Sequence, residues 1–396
     1  MTHLRRFSVC VTIAMLLGCS KSPSDLPIGK PLGSDTTITR SNDRVDIVSK
    51  VYHIDKIYRS MTGPWSQTKV RLLEQPKPEL VWITGAEVKM LDILGRKRMP
   101  DEFMCHANLD LDSTRYCEQL GLSKTLDGRL FTLSQGQLSV EFPKGAGIPV
   151  RSDLPLDLVT QALNLNIQDA NFDVRHHVTI HFVRDRDVQG KMIPLYESGV
   201  SSQVTLEDHP LAFDVMDHGT GTQIMGMCIP GQKAVQWDEG EDRYGRRFTG
   251  HWVVPPGHQE NRTRVTSIID VPDDTKIYAI AVHMHPFAES LELRDITENK
   301  SLFKSRARNF SDKIGLDDVD SFASDEGIPV YKNHEYEMVC SYNNTTDENI
   351  DSMAVMYLYL GDTEFDYAEV KRRISSESQS DQPLLGNVFD EKRPRM

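Results

Sequence analysis

The sequence predicts an all-β protein: two consecutive antiparallel β-sandwich domains, jelly-roll-like, between a flexible N-terminal tether and a C-terminal tail. Three observations carry that prediction. Apolar and β-branched residues fall in short runs with weak helical periodicity, and Pro, Gly, Asn and Asp interrupt them at short intervals. No alternation of strands with helices of the parallel α/β kind is present. At 396 residues, with 39% hydrophobic content, the chain exceeds one usual domain and can build two cores.

Residues 1–18 read as a signal peptide. Arg5 and Arg6 precede an apolar run from Phe7 to Leu17 that is too short to span a bilayer, and the run ends in Leu16-Leu17-Gly18-Cys19. This resembles a bacterial lipoprotein signal. The resemblance implies a lipid on Cys19, a new N-terminus there, and an exported protein anchored to a membrane. Ser20 points to the outer membrane by the usual sorting pattern, with the body facing the periplasm or the surface. A plain secretory signal with a chance cysteine is the alternative. Residues 19–44, rich in Ser, Pro, Gly, Asp and Thr, read as the tether. No run of about 18 apolar residues indicates a transmembrane helix. A formal net charge of −13 argues against nucleic acid as a partner, because phosphate recognition wants a basic face.

The first sandwich is placed at 45–188, with strands expected over 79–89, 129–133, 138–142, 158–164 and 174–183. The second is placed at 189–370, with strands over 203–207, 265–270, 276–285, 291–295, 335–343 and 353–360. Residues 219–250 read as a Gly-rich, charged excursion, and 371–396 as a disordered tail. Of the six cysteines, Cys10 leaves with the signal and Cys19 carries lipid. Cys105, Cys117, Cys228 and Cys340 remain, and an oxidising compartment favours two disulfides. Three connectivities are open; Cys105–Cys117 and Cys228–Cys340 each stay within one domain. Free or metal-bound thiols are the competing expectation.

The chemistry centres on His283-Met284-His285, at the end of the strand expected over 276–285. Side chains alternate along a strand, so the two imidazoles share a face and can share one metal ion. The run 353–360 offers a third ligand. Met353 shares a face with Val355, Tyr357 and Tyr359, and Met356 lies on the other. A thioether beside two imidazoles suits copper, above all Cu(I). Taken alone, His-x-His is more often a coincidence of packing, and strand methionines are more often core filler.

Residues 254–360 resemble the second domain of the ascorbate-dependent copper type II monooxygenases, the family of peptidylglycine α-hydroxylating and dopamine β-monooxygenases. The matching pieces are Val254-Pro255-Pro256-Gly257, His283-Met284-His285 running into Glu292-Leu293-Arg294-Asp295, the stretch from Val339 to Thr345, and Asp351-Ser352-Met353 ahead of a Tyr-rich strand. The resemblance implies that His283, His285 and Met353 hold one copper ion that activates oxygen. It also implies ascorbate or another external reductant, a small-molecule or peptide substrate, and a second copper held by three histidines of the first domain across a solvent gap. Those three are not matched. The equivalent stretches are Val88-Lys89-Met90 and 160–166, which contain no histidine.

Other histidines are weaker candidates. His176 and His177 are adjacent and face opposite sides of a strand, and His177 and His181 lie about 13 Å apart at ~3.3 Å per residue. His106 follows Cys105, and His251 and His218 precede or enter segments near the metal domain. His251 is the leading candidate for an orienting group or an extra ligand, and Glu289 and Glu292 could orient the pair in the same way. The sequence thus supports an exported copper lipoprotein leaning towards a monooxygenase-like oxidoreductase. The alternative is a copper-binding, storage or partner-binding lipoprotein without turnover.

Overall fold

The computed structural model describes residues 35–60, 62–124, 126–205, 239–241, 246–269 and 271–380. The signal peptide, Cys19, His218 and Cys228 lie outside the described residues. The chain is all-β.

The first half supplies β1 (Thr37–Arg40), β2 (Arg44–Val48), β3 (Tyr52–Ile54), β4 (Trp65–Val70), β5 (Leu80–Leu91), β6 (Met104–Leu111), β7 (Arg129–Ser134), β8 (Ser139–Glu141), β9 (Ala146–Arg151), β10 (Leu156–Ala162) and β11 (Phe172–Arg184), with helix α1 (Ser113–Leu120) between β6 and β7. The second half begins with β12 (Ile193–Ser201), β13 (Val204–Thr205), β14 (Glu239–Glu241), β15 (Arg247–Thr249), β16 (Trp252–Val254), β17 (Gly257–Arg264) and a one-turn helix α2 (Thr266–Ile269). It continues with β18 (Thr275–Met284), β19 (Ala288–Asp295), β20 (Lys300–Asn309), β21 (Leu316–Val319), β22 (Phe322–Val330), β23 (Tyr336–Asn344), β24 (Ile350–Ser352), β25 (Ala354–Gly361) and helix α3 (Tyr367–Ser380).

Among the described residues the strands form two stacked pairs of sheets and two small ones. One long sheet runs β1-β2-β11-β5-β9-β12-β25-β18-β22 through both halves. In the first half it faces the sheet β4-β10-β6-β7, and in the second it faces β17-β23-β19-β20-β21. The halves join where β9 and β12 pair in parallel, Ile193 against Ala146 and Pro194 against Gly147. The described residues all fall in one compact unit.

The second core is filled by Ile280, Val282 and Met284 of β18 and Ala354, Met356, Leu358 and Leu360 of β25. The opposite faces of the same strands are buried too. Ala279, Ala281, Met353, Val355, Tyr357 and Tyr359 pack into the core of the first sandwich. A strand buried on both faces reads as a near-continuous apolar run, as β18 and β25 do. β7 packs against both β12 and β18, so the seam between the sandwiches is closed by the β6–β7 side of the first.

Three expectations are corrected. The tether was expected to reach residue 44, but Thr37–Arg40 pairs with Val45–Val48 as β1 on β2. The tail was expected to be disordered from 371, but 367–380 is helical. Val370 and Ile374 lie one turn apart and enter the first core, while Asp185 accepts from Trp82 Nε1 at 3.0 Å, Tyr367 Oη at 2.8 Å and Lys371 Nζ at 2.6 Å. The Ser- and Glu-rich outer face conceals that two-residue apolar stripe. Finally, the strand expected over 265–270 contains the turn of helix α2, which turns Val265 and Ile269 together into the second core.

Candidate metal centre

β18 carries the site. Its register on β25 sets His283 opposite Val355 and Met284 opposite Ala354. One step further, the His285 N–H donates to the Met353 carbonyl at 3.1 Å. Cross-strand neighbours share a face, so His283, His285 and Met353 stand on the side turned to the first sandwich. Met356 is on the other side, in the second core.

His283 is 5% exposed, and neither of its ring nitrogens has a hydrogen-bond partner among the described residues. Burial holds it well below the usual imidazole range, and neighbouring His285, His106, His251 and Arg129 add to that. It is therefore a neutral imidazole with a lone pair available, the form that ligates metals. His285 is anchored at both ends: Nδ1 lies 3.2 Å from Asp351 Oδ2 and Nε2 lies 3.3 Å from Ser60 Oγ. With Nδ1–H donated to Asp351, Nε2 is the lone-pair nitrogen. Burial pushes the Asp351 carboxyl up, but the adjoining His285 outweighs it, with His251 and the Ser352 N–H, and the net shift is down. The two rings are 5.3 Å apart at 83°, and His251, 1% exposed, stands 5.9 Å from His285.

Tyr342 clamps the ligand-bearing backbone. Its hydroxyl donates to the Met353 carbonyl at 2.6 Å and receives the N–H groups of His285 and Met353 at 3.2 and 3.3 Å. Tyr342→Phe should lower stability by about 1–3 kcal/mol, since it strands the Met353 N–H and removes a second partner from the Met353 carbonyl and the His285 N–H. Denaturant unfolding of the metal-free protein checks this, and an unchanged midpoint would show that the clamp carries no load.

Beside the histidines lies a cavity of about 390 Å³, within the ~300–1,000 Å³ common for small-molecule pockets. Met104, Cys105 and Leu163 of the first sandwich and His283, His285 and Phe287 of the second line it, and Asp347 and Glu348 are exposed on its rim. Sequence reasoning missed Ser60, Asp351 and Tyr342. Glu289 and Glu292, expected to orient the pair, look elsewhere: Glu289 lies 3.5 Å from His258, and Glu292 pairs with Arg294 and Lys304.

Among the described residues the remaining histidines do not assemble a second centre. His176 is buried in the first core against the Tyr52 ring at 5.4 Å, while His177 faces Asp46 at 3.2 Å from the other side of β11. Met90 pairs across from His176, and Lys89 binds Glu87, so the stretch equated with the family's second copper offers no imidazole. Among the described residues no group of three or more His, Cys, Asp or Glu side chains converges on one point.

The expected Cys105–Cys117 disulfide is absent. Cys105 Sγ sits 3.2 Å from His106 Nδ1 and 3.8 Å from Gln161 Oε1, while Cys117, on α1, bonds the Lys124 carbonyl at 3.4 Å. β6 and α1 direct the two thiols to different partners. Cys340 is a buried thiol pushed up by burial, and its expected partner Cys228 falls outside the described residues.

The donor set fits a soft metal ion on the chain's own terms: a buried neutral imidazole without a partner, a second imidazole oriented by a carboxylate, and a thioether on their face. No family model and no curated protein matches the chain. Solved structures show only weak similarity. PNGase F, a glycosylasparaginase from Flavobacterium meningosepticum, is 9% identical at a TM-score of 0.32, over 82% of this chain and 97% of that one. A peptide-N(4)-(N-acetyl-β-D-glucosaminyl) asparagine amidase is 8% identical at 0.31, over 82% and 98%. The STIV MCP is 8% identical at 0.26, over 80% and 98%. At that level the likeness carries nothing about chemistry.

Proposed function

We propose that this chain is an exported copper lipoprotein, anchored through Cys19, that holds one copper ion on His283, His285 and Met353 and works as a monooxygenase-like oxidoreductase. The observation that carries the reading is His283: a buried, neutral imidazole with neither nitrogen partnered among the described residues is costly unless something binds it. Copper, when bound, would supply one-electron redox chemistry and an affinity for dioxygen. The chain's residues do the rest. Asp351 fixes the His285 tautomer, Tyr342 holds the two backbones in register, and the cavity beside the histidines has room for a small organic molecule or a peptide side chain. Electrons come from an external reductant such as ascorbate.

A second reading, copper binding without turnover, is favoured by the lack of histidine at Val88-Lys89-Met90. Copper titration followed by ascorbate-dependent oxygen consumption separates the two. One tight equivalent with oxygen uptake above that of free copper supports the oxidoreductase. One tight equivalent without uptake supports the binding protein, and no tight equivalent removes both.

A further inference from the structure

We propose that the turn after β5 is a second membrane contact, in which Ile93 and Leu94 enter the interface of an anionic phospholipid bilayer and Arg96, Lys97 and Arg98 meet its headgroups. The inference rests on the anchored-lipoprotein reading for its orientation and on the turn itself for its chemistry. The turn is well built. With Gly95 in the left-handed region, its N–H donates to the Asp92 carbonyl at 2.9 Å. Asp92 Oδ1 accepts the N–H groups of Arg96 and Lys97 at 2.8 and 3.1 Å. The Asp92 N–H returns to the Lys97 carbonyl at 2.9 Å, Leu91 bridges Arg98, and Met99 packs on the first core. Polar residues ordinarily fill such a tip. Here it presents two aliphatic side chains, 44% and 41% exposed, the only adjacent pair of exposed large apolar residues among the described residues.

Charge marks what the tip meets. Residues 93–98 carry three cations and no acid, in a chain of net charge −13. Arg96, Lys97 and Arg98 are exposed; Arg98 meets Asp101 at 2.8 Å, and Asp92 is occupied within the turn. At the same end of the sheet Asp173 lies 2.9 Å from His53, and Asp169 is exposed. An apolar tip backed by cations suits the boundary between headgroups and acyl chains of an anionic leaflet. The chain also enters at this end. In the long sheet Thr37 pairs with Val48, Val48 with His177, and Arg175 with Leu91. Asp35 therefore stands level with the end of β5, three strands along, and Arg175 Nη2 donates to its carbonyl at 2.6 Å. Sixteen residues separate Asp35 from Cys19, a reach of at most roughly 58 Å. A lipid on Cys19 holds this end towards the bilayer, and the turn adds the basic, apolar second signal that reinforces lipid anchoring.

Leu94→Trp in the full chain reads the contact, with the four native tryptophans measured in the unsubstituted chain as background. Brominated phospholipids in vesicles containing phosphatidylglycerol should quench emission from position 94. Adding Arg96→Glu and Lys97→Glu should lower that quenching several-fold, and so should vesicles of phosphatidylcholine alone. In the unsubstituted chain, trypsin cleavage at Arg96 and Lys97 should slow several-fold on the anionic vesicles relative to other sites, an arm that needs no variant to fold. No quenching at position 94, equal quenching after charge reversal, or unslowed cleavage overturns the proposal. The mass of the N-terminal fragment reports the lipid on Cys19 separately, so a failed anchor and a failed turn are told apart.

Discussion

His283→Leu abolishes tight copper binding and leaves the metal-free protein at least as stable as the wild type. The two effects share one cause. In the metal-free chain His283 buries two ring nitrogens that find no partner among the described residues, at a cost of about 1–3 kcal/mol for each unmet polar group. Leucine fills similar space without that penalty, so a site residue acts against stability until its ligand arrives. His285 behaves differently because Asp351 and Ser60 hold it. His285→Ala should lose copper and stability together. Asp351→Asn should keep the fold and weaken copper about 10–100-fold, the usual effect of removing a ligand's orienting partner. Met353→Leu conserves volume and should cost under ~1.5 kcal/mol while selectively reducing Cu(I) affinity. Copper titration in both oxidation states, beside urea unfolding of each metal-free variant, gives the pattern. If His283→Leu is strongly destabilised without metal, its nitrogens have partners in solution and the site loses its chief support.

The second large effect is acid unfolding. His106 and His176 are fully buried and pushed down to about 3, in both cases chiefly by burial. Unfolded, each protonates around pH 6.5. A depressed histidine pKa means that the unfolded chain binds more protons below that value, so stability is intact above about 6.5 and drains as pH falls towards 3. Two such groups cost a little over ~5 kcal/mol by about pH 4.5, a large share of the ~5–15 kcal/mol of a typical domain. Burial holds the Glu197 carboxyl of β12 well above the usual carboxylate range, so it pulls the other way over part of this window, and the measurement belongs in the Glu197→Gln background. Urea midpoints from pH 7 to 4.5 should fall steeply there, and His176→Leu should make the fall shallower, with buried His283 contributing in the same direction. A flat profile would mean that these imidazoles are already charged or solvated in the folded chain.

Much of the fold was legible because strands advertise themselves by punctuation. The stretches around β5, β7, β11, β18, β23 and β25 stand out between turn residues. Alternation alone also gives the common face of His283 and His285 and the opposed faces of Met353 and Met356. What alternation cannot say is which sheet covers a face. Ser60 reaches His285 across 225 positions, and Cys105, His106 and Arg129 arrive from a sandwich whose docking leaves no local trace. Asp351 was missed for a related reason. Glu289 and Glu292 are nearer in sequence to the histidines, but antiparallel pairing of β18 with β25 brings 351 beside 285. The β1 strand and helix α3 were hidden by polar composition, since β1 buries no residue fully and α3 sends Val370 and Ile374 into the core.

The position of β25 has a consequence for how the chain is made. It is the last strand in sequence, yet it lies between β12 and β18 in the long sheet. During synthesis from the N-terminus, both neighbours are complete long before residues 354–361 emerge. Until then each presents an open edge, and the seam that will cover His283 has no middle. Long-range pairing of this kind is slow and leaves edges exposed to other chains. The candidate site is therefore among the last parts of the molecule to exist, and a ribosome that stops short of Met353 releases a chain without its third candidate donor and without the strand that lies between β12 and β18.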